Sequence, residues 1–202
     1  MPVIEHSAAV LALWAVIGYL LGSIPFGIVL AKVMGLGNLR DIGSGNIGAT
    51  NVLRTGNKIA AALTLLLDGG KGAVAVLVAR AAGGEDIAQV AGLAAMLGHC
   101  YPVWLRFAGG KGVATFLGIV LALAWPVGIG CCLAWLAGAF STRISSMGAL
   151  VASAAALPLA HLLNAGSAGL LFILLAALVY WRHRGNILRI RSGTEPKIGQ
   201  KS

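Results

Sequence analysis

Long apolar runs, separated by short polar segments, make up most of the chain. They occupy residues 8–33, 59–82, 87–105, 112–140, 147–163 and 166–181. A helix that crosses the hydrocarbon core of a bilayer needs about 20 mainly apolar residues. The last two runs are slightly shorter, but Gly- and Ala-rich runs of this kind suit close helix packing inside a membrane bundle. The pattern therefore predicts an all-α, polytopic membrane protein.

The run at residues 112–140 is too long for one crossing. Its 29 residues would form a helix of about 44 Å at a rise of about 1.5 Å per residue. Trp125 and Pro126 lie in its middle, and proline breaks the interior of a helix. We therefore predict two short helices joined near Pro126, which gives seven transmembrane helices in total.

The distribution of basic residues predicts the orientation. With seven crossings, 13 of the 15 basic residues fall on one side of the membrane, namely Lys32, Arg40, Arg54, Lys58, Arg106, Lys111, Arg143, Arg182, Arg184, Arg189, Arg191, Lys197 and Lys201. The other two are Lys71, inside the second run, and Arg80, at its far end. Because basic loops remain in the cytoplasm, the N-terminus is predicted outside and the C-terminus inside. Six crossings would export Arg143 and the basic tail.

The composition agrees with a membrane protein. Of the 202 residues, 58% are hydrophobic and 10% are charged, and the mean hydropathy is +0.90, whereas a soluble domain is about 25% charged. A net charge of +9 would suggest nucleic acid in a soluble domain. Here the basic residues lie between apolar runs, so we predict a membrane protein without a nucleic-acid partner. The three cysteines, two of them adjacent, have no metal-binding spacing. We predict no metal and no cofactor, and treat residues 1–202 as one domain.

The segment 40–54 has the composition of a phosphate-binding loop. Its glycines allow the backbone to curl so that successive N–H groups face one anion. Its polar side chains add neutral donors, and Arg54 adds a charge that can take two phosphate oxygens. The candidate binding residues are Gly43, Ser44, Gly45, Asn46, Gly48, Thr50, Asn51 and Arg54. The alternative is a flexible connector between helices.

A second Gly-rich turn, Gly109-Gly110-Lys111-Gly112, lies at the start of the fourth run. Its lysine is placed to open a helix, and a helix N-terminus favours an anion. The turn is not a Walker A loop, because Leu105 stands in place of the upstream glycine and Gly112 in place of the Ser or Thr that holds magnesium. The alternative is that Lys111 anchors the chain at the membrane surface.

Two further pairs of polar residues are spaced to meet on a helix. Asp68 and Lys71 are three residues apart in the second run. Charges inside a membrane usually pair with each other or face a polar interior, so an ion pair and a substrate contact both remain open. His183 and Asn186 are three apart at the end of the last run and could hydrogen-bond a polyol phosphate. Alternatively, this tail is a basic flank that touches anionic lipid.

Other signatures are excluded. The glycines at 43, 45 and 48, with Asp68 20 residues further on, match the dinucleotide fingerprint, but no βαβ unit surrounds them. None of the four histidines begins the H-x-x-x-x-D signature of thioester-dependent glycerolipid acyltransferases. The chain also lacks the G-x-S-x-G sequence of a serine nucleophile.

Five motifs occur in order between residues 22 and 195. They are Gly22-Ser23-Ile24-Pro25-Phe26-Gly27, Gly43–Arg54, Asp68-x-x-Lys71-Gly72, Gly109-Gly110-Lys111-Gly112-Val113-Ala114-Thr115 and His183-x-x-Asn186. In this combination the chain resembles the bacterial acyl-phosphate:glycerol-3-phosphate acyltransferase family. The resemblance implies a seven-helix enzyme of the bacterial inner membrane with its active site facing the cytoplasm. It would acylate the sn-1 hydroxyl of glycerol 3-phosphate with acyl phosphate, releasing 1-acyl-glycerol 3-phosphate and inorganic phosphate in the first acylation step of phospholipid synthesis.

The residues and the resemblance together give a candidate site. We expect catalytic roles for Lys111, Arg54, Ser44 and His183. Substrate binding is expected from Gly43, Gly45, Asn46, Gly48, Thr50, Asn51, Gly110, Gly112, Asn186 and Ser146. Either Ser145 or Ser146 could correspond to a serine that the family has after its fifth helix. Asp68, Lys71, Arg143 and Glu195 are second-tier candidates.

The expected chemistry needs no covalent nucleophile on the enzyme, because acyl phosphate is already activated. We predict that the phosphate of this donor removes the proton from the attacking hydroxyl, with His183 as the alternative base. A soluble enzyme that forms acyl phosphate is an expected partner. The alternative functions are a transporter for phosphate or an organic phosphate, and a small assembly subunit.

Overall fold

A computed structural model describes residues 2–199, so Met1 and residues 200–202, including Lys201, lie outside the described part. Within residues 2–199 all regular structure is helical, as predicted. The α-helices are α1 (Ala8–Gly22), α2 (Phe26–Val33), α3 (Ala49–Leu53), α4 (Lys58–Gly83), α5 (Glu85–Cys100), α6 (Val113–Leu123), α7 (Trp125–Thr142), α8 (Ser145–Leu162), α9 (Gly169–Arg182) and α10 (Arg184–Arg191). Short 3-10 turns occur at Leu39–Asp41, Val103–Leu105 and Gly166–Ala168.

The predicted break in the fourth run is confirmed. Helix α6 ends at Leu123 and α7 begins at Trp125, with Pro126 in the first turn of α7. Proline is tolerated there because the first N–H groups of a helix have no partner within the helix.

The first apolar run contains a break that the sequence analysis did not predict. The chain leaves α1 after Gly22 and enters α2 at Phe26, with Pro25 at the junction. Proline has no N–H and cannot continue the helical ladder. Two carbonyl oxygens at the break find distant donors instead: Trp104 Nε1 donates to Ser23 O (2.7 Å) and Lys71 Nζ donates to Ile24 O (2.7 Å).

Glycines bring the long helices into close contact. A Cβ atom at Gly18 or Gly22 of α1 would collide with the backbone of Ala91 or Ala95 in α5, and one at Gly118 of α6 would collide with the backbone of α4. Small residues at helix interfaces are typical of membrane bundles, where association depends on close packing. The outer surface is apolar, with side chains such as Phe140 at 78% and Leu66 at 68% exposure. This surface suits contact with lipid.

The count of crossings is only partly tested. Within residues 2–199, four segments are long and apolar enough to cross a membrane, at residues 8–33, 58–83, 125–142 and 145–162, and a fifth forms if the bent pair of 166–182 and 184–191 is one span. Helices α5, with 16 residues, and α6, with 11, are shorter. Seven crossings and the orientation of the termini therefore remain predictions.

Hydrogen bonds gather the helix ends into two groups. At one group, the Asp86 carboxylate accepts from the backbone N–H groups of Glu5 (2.9 Å) and His6 (3.1 Å). Gln89 there donates to the Ser167 carbonyl (3.3 Å). We call this group the far end; it comprises residues 5–6, 80–89, 122–124 and 165–168.

At the second group, the Thr50 and Ser145 hydroxyls lie 3.1 Å apart, and Lys111 Nζ donates to Asn186 Oδ1 (2.6 Å). Arg40 also donates to the Ala108 carbonyl. We call this group the basic end; it comprises residues 38–57, 99–112, 143–146 and 182–198. The two Gly-rich segments and the basic tail thus meet in one place.

Candidate active site

The Gly-rich turn before α6 lies tightly against the end of α5. The Gly109 and Gly110 N–H groups donate to the carbonyl oxygens of Cys100 and His99, both at 3.1 Å. A Cβ atom at either glycine would collide with His99, so larger residues do not fit. Gly112 has φ 81° and caps α6, a conformation that favours glycine. Lys111 was expected to open the helix and lies instead just before its cap.

Lys111 belongs to a connected polar network. Its Nζ donates to Asn186 Oδ1 (2.6 Å), and Asn186 Nδ2 donates to the Glu195 carboxylate. Ser146 Oγ donates to the same Glu195 oxygen (2.6 Å), while Arg189 Nε donates to the other (2.7 Å). Lys111, Asn186, Ser146 and Glu195, four of the predicted residues, are therefore brought together. Arg189 was not predicted.

Electrostatics make this network ready for an anion. Burial, together with the charges of Arg189, Arg182 and Arg54, lowers the pKa of Lys111 to about 8, against the opposing effect of Glu195. For Glu195, burial would raise the pKa, but hydrogen bonds from Ser146, Asn186 and Arg189 outweigh it and lower the pKa below its usual value. A bound dianion would favour the charged form of Lys111.

His183 lies at the bend between α9 and α10, which differ in direction by 60°. Its side chain is buried (2% exposed), and Nδ1 lies 2.8 Å from the Val179 carbonyl oxygen. A carbonyl only accepts, so Nδ1 carries a hydrogen. In the neutral ring Nε2 is then the nitrogen able to accept a proton or a hydrogen bond. The bend also directs Asn186, one turn later, towards Lys111.

The first Gly-rich loop is organised around Asn51. Its Oδ1 accepts from the Ser44 N–H (3.1 Å) and hydroxyl (3.3 Å), and its Nδ2 donates to the carbonyls of Leu39 (2.9 Å) and Asn46 (2.7 Å). The amide is 2% exposed. Asn51 therefore fixes the shape of the loop, and a direct contact between Asn51 and substrate stays a prediction.

Arg54 lies beside this loop. Its Nη1 lies 3.5 Å from Asn51 Oδ1, and its side chain fills the space above Gly43, where a Cβ would collide with it. Gly43 and Gly45 have φ of 50° and 65°, the left-handed region that favours glycine. The charge of Arg54 also reaches Lys111, whose pKa it lowers. Arg54 and Lys111 thus share one electrostatic environment, while the predicted contacts of Gly48 and Asn46 with substrate remain untested.

Long-range contacts join the two Gly-rich segments. Arg40 donates to the Gly45 carbonyl (3.1 Å) and to the Ala108 carbonyl. Thr50 contacts Ser145, whereas the neighbouring Ser146 contacts Glu195. Both candidate serines therefore lie at the site. Ser145 contacts the first Gly-rich loop, and Ser146 contacts the network around Lys111.

The second-tier residues have different settings. Asp68 and Lys71 form an ion pair at 2.9 Å, one of the two alternatives that the sequence left open; both are buried, and Lys71 also donates to the Ile24 carbonyl at the α1–α2 break. Thr115 in α6 donates to the Asp68 carbonyl (2.9 Å). Arg143 is exposed, ends α7 with φ 59°, and accepts from the Ile198 N–H through its backbone carbonyl.

Sequence reasoning missed Arg40, Arg182 and Arg189 as parts of the site. Arg182 donates to the carbonyls of Gly109 and Gly110, both at 3.0 Å. The only available signal was the position of Arg182 next to His183. Within residues 2–199, no group of three or more His, Cys, Asp or Glu side chains could hold a metal ion.

The sequence profile of the glycerol-3-phosphate acyltransferase family matches residues 12–193. The chain belongs to this family. It is 83% identical over 198 residues to a glycerol-3-phosphate acyltransferase of Roseobacter denitrificans, covering 98% of this chain and 99% of the relative. The corresponding protein of Ruegeria pomeroyi is 69% identical over 202 residues, covering all of both chains.

Solved structures of this family are similar to the whole bundle of this chain. Crystal structures of PlsY (YgiH), an integral membrane glycerol 3-phosphate acyltransferase, are similar in both a glycerol 3-phosphate form and a lysophosphatidic acid form. The first has a TM-score of 0.87 at 40% identity, with 94% of this chain and 96% of that chain covered. The second has a TM-score of 0.85 at 36% identity, with 94% and 95% covered. The predicted family membership is confirmed.

Proposed function

We propose that this protein transfers a fatty acyl group from acyl phosphate to the sn-1 hydroxyl of glycerol 3-phosphate, at the cytoplasmic face of a bacterial inner membrane. The observation that carries this proposal is the meeting of two Gly-rich segments and the His183–Asn186 bend around Lys111. Family membership supports the acceptor, because relatives and solved neighbours are named for glycerol 3-phosphate.

The site suits two anionic reactants. Acyl phosphate and glycerol 3-phosphate repel each other, and the reacting hydroxyl must come within about 3–3.5 Å of the acyl carbon. Lys111, Arg54 and Arg189 supply positive charge from three different segments, and Glu195 is a carboxylate that contacts Arg189 and acts electrostatically on Lys111. A surplus of cations can hold two phosphates together.

The proposed roles follow from this arrangement. The loop at 43–54, with Ser44 and Arg54, holds the phosphate of the acyl donor. Lys111, Ser146 and Asn186 hold glycerol 3-phosphate, and Lys111 also stabilises the phosphate as it leaves. The hydroxyl oxygen attacks the acyl carbon, the bond between that carbon and the phosphate oxygen breaks, and inorganic phosphate departs.

The proton of the hydroxyl goes to the departing phosphate in this scheme. His183 supports the reaction from its buried position, where Nε2 can accept a hydrogen bond from the glycerol backbone. This proposal requires no covalent enzyme intermediate, because the donor is an activated acid anhydride. A soluble enzyme that makes acyl phosphate would supply the donor.

The proposed topology has seven crossings, with the far end outside. Successive helix ends lie alternately at the far end and at the basic end, where hydrogen bonds join them. This alternation is expected if α1 and α2 together form one crossing and α4, α5, α6, α7, α8 and α9 each form another. The surplus of basic residues at the basic end favours the cytoplasm for it.

The test is donor specificity in detergent, where no compartments exist. Purified protein is given labelled glycerol 3-phosphate with palmitoyl phosphate, palmitoyl-CoA or palmitoyl-acyl carrier protein. We expect 1-acyl-glycerol 3-phosphate and phosphate in equal amounts from the first donor only. Equal rates with a thioester donor would disprove the acyl-phosphate assignment. Uptake into sealed vesicles without product in detergent would instead indicate a carrier.

A further inference from the structure

Arg182, the last residue of α9, contacts the backbone of the turn that carries Lys111. Its Nε donates to the Gly110 carbonyl and its Nη2 donates to the Gly109 carbonyl, both at 3.0 Å. The guanidinium lies over the Tyr101 ring, with 5.0 Å between the guanidinium carbon and the ring centroid. The side chain is therefore held by both the turn and the loop that precedes it.

The same turn is held on its opposite edge by α5. The N–H groups of Gly109 and Gly110 donate to the carbonyls of Cys100 and His99. Both backbone N–H groups and both carbonyls of this glycine pair are thus used, the carbonyls by Arg182. The path of the chain into Lys111 is fixed by helix α5 on one edge and by Arg182 on the other.

Arg182 also immediately precedes His183, and Asn186 lies one turn further on. Two separate contacts therefore join the end of α9 and the start of α10 to the turn that carries Lys111. One is the pair of hydrogen bonds from Arg182, and the other is the hydrogen bond between Lys111 and Asn186 (2.6 Å). The contacts of Arg182 thus help to fix the position of Lys111 relative to His183 and Asn186, which must face the same substrate from a different part of the chain.

We propose that Arg182 is a positioning residue that holds Lys111 in place relative to His183 and Asn186 and does not bind substrate phosphate itself. This inference rests on the function proposed above. A planar guanidinium can donate to two neighbouring oxygens at once, and the ammonium of lysine cannot reproduce that fork. Charge alone is therefore not sufficient at this position.

The test compares Arg182→Lys and Arg182→Gln with Arg184→Gln. Arg184 is a matched control, because it lies at the same helix junction but is exposed and stacks on Trp181 (4.8 Å). Since a small misplacement of a catalytic group is costly, we expect both Arg182 variants to lower kcat by roughly 30-fold or more. The KM for glycerol 3-phosphate should rise by a smaller factor than kcat falls, because Ser146 and Asn186 still hold this substrate. Arg184→Gln should keep kcat and KM.

Two results would overturn the inference. Normal kcat in Arg182→Lys would show that charge suffices. A large rise in KM for either substrate at constant kcat in Arg182→Gln would show that Arg182 is a substrate ligand. Melting curves in detergent check that the variants are folded.

Chemical rescue keeps the test decisive if Arg182→Gln unfolds. Arg182→Ala is assayed with added methylguanidinium or methylammonium, and only the planar ion should restore activity. Equal rescue by both ions would contradict the inference. Failure of the proposed function is distinguishable, because then the unmodified protein itself forms no product.

Discussion

Arg80 and Arg182 each donate to two consecutive backbone carbonyls, one pair at each end of α6. Arg80 donates to Ala122 (2.6 Å) and Leu123 (3.2 Å), after which the helix ends. Arg182 donates to Gly109 and Gly110, shortly before the helix begins. The bonds are of the same kind, because in both places a planar cation satisfies carbonyls that no N–H group within a helix reaches.

The surroundings of the two arginines differ in charge. Arg80 is balanced by Glu85, to which its Nη2 donates at 3.1 Å, and Asp86 and Glu5 lie at the same end of the molecule. At the basic end, burial and the charge of Arg182 lower the pKa of Arg40, and burial together with several cations lowers that of Lys111. The far end thus joins helices with balanced charge, whereas the basic end retains positive charge for anions.

The largest effect is expected from Lys111→Met. This change keeps the length of the side chain and removes the cation that we assign to the leaving phosphate. Loss of one such electrostatic group lowers turnover by about 10²–10³-fold. Initial rates with palmitoyl phosphate in detergent measure the effect, and the melting temperature checks the fold.

Lys58→Met is the control for this experiment. Lys58 is an exposed lysine at the start of α4, also at the cytoplasmic side in the proposed topology. It should keep activity within about twofold, since surface charges contribute little. Near-normal turnover of Lys111→Met would remove Lys111 from the site.

Lys111→Arg tests the charge of this residue through the pH profile. Because the pKa of Lys111 is lowered to about 8, the free enzyme loses this cation as pH rises above 8, and kcat/KM of the unmodified protein should fall about tenfold per pH unit there. Bound phosphate favours the cation, so the fall in kcat should appear at higher pH. An arginine stays protonated, and the variant should lack the fall, although its bulk lowers activity at pH 7 by roughly tenfold.

The comparison uses kcat/KM measured from pH 6 to pH 10 with both proteins. If the arginine variant shows the same fall above pH 8 as the lysine protein, another group titrates there. The assignment of that limb to Lys111 would then be wrong.

Glu195→Gln removes a negative charge from the site and should have a smaller effect than the loss of a cation. Glu195 raises the pKa of Lys111, so removing its charge moves the fall in kcat/KM to lower pH. Ser146 and Asn186 lose a charged acceptor at the same time. At pH 7.5 we expect kcat/KM to drop by about fivefold, which corresponds to about 1 kcal/mol, the typical net contribution of one hydrogen bond.

Asp41→Asn is the matched control, since Asp41 is an exposed carboxylate at the basic end that accepts from Asn38. It should leave the pH profile unchanged. A shift of the limb to higher pH in Glu195→Gln would contradict the proposed coupling between Glu195 and Lys111.

Much of the fold was predictable from local sequence, because lipid demands long apolar runs and Pro126 favours a helix start over a helix interior. The candidate site was predictable to the extent that Gly43, Gly45, Gly112 and Lys111 signal loops for anions. The break at Pro25 was missed, because the donors that satisfy it, Trp104 and Lys71, are distant in sequence. Arg182 was missed for the same reason: it lies 72 residues from Gly110, and no local pattern reveals such a pairing.

The smallest effect on turnover is expected at the far end, where Arg80→Met removes a link without touching the site. The carbonyls of Ala122 and Leu123 and the carboxylate of Glu85 lose their donor, which costs about 1–3 kcal/mol of stability. Thermal melting in detergent should therefore shift downwards relative to an Arg106→Met control, whose exposed arginine lies at the basic end. Turnover per folded molecule should stay within about twofold. A loss of turnover as large as that expected for Arg182→Gln would mean that α6 transmits strain along its length. The proposed division of roles, with the far end joining helices and the basic end binding the reactants, would then be wrong.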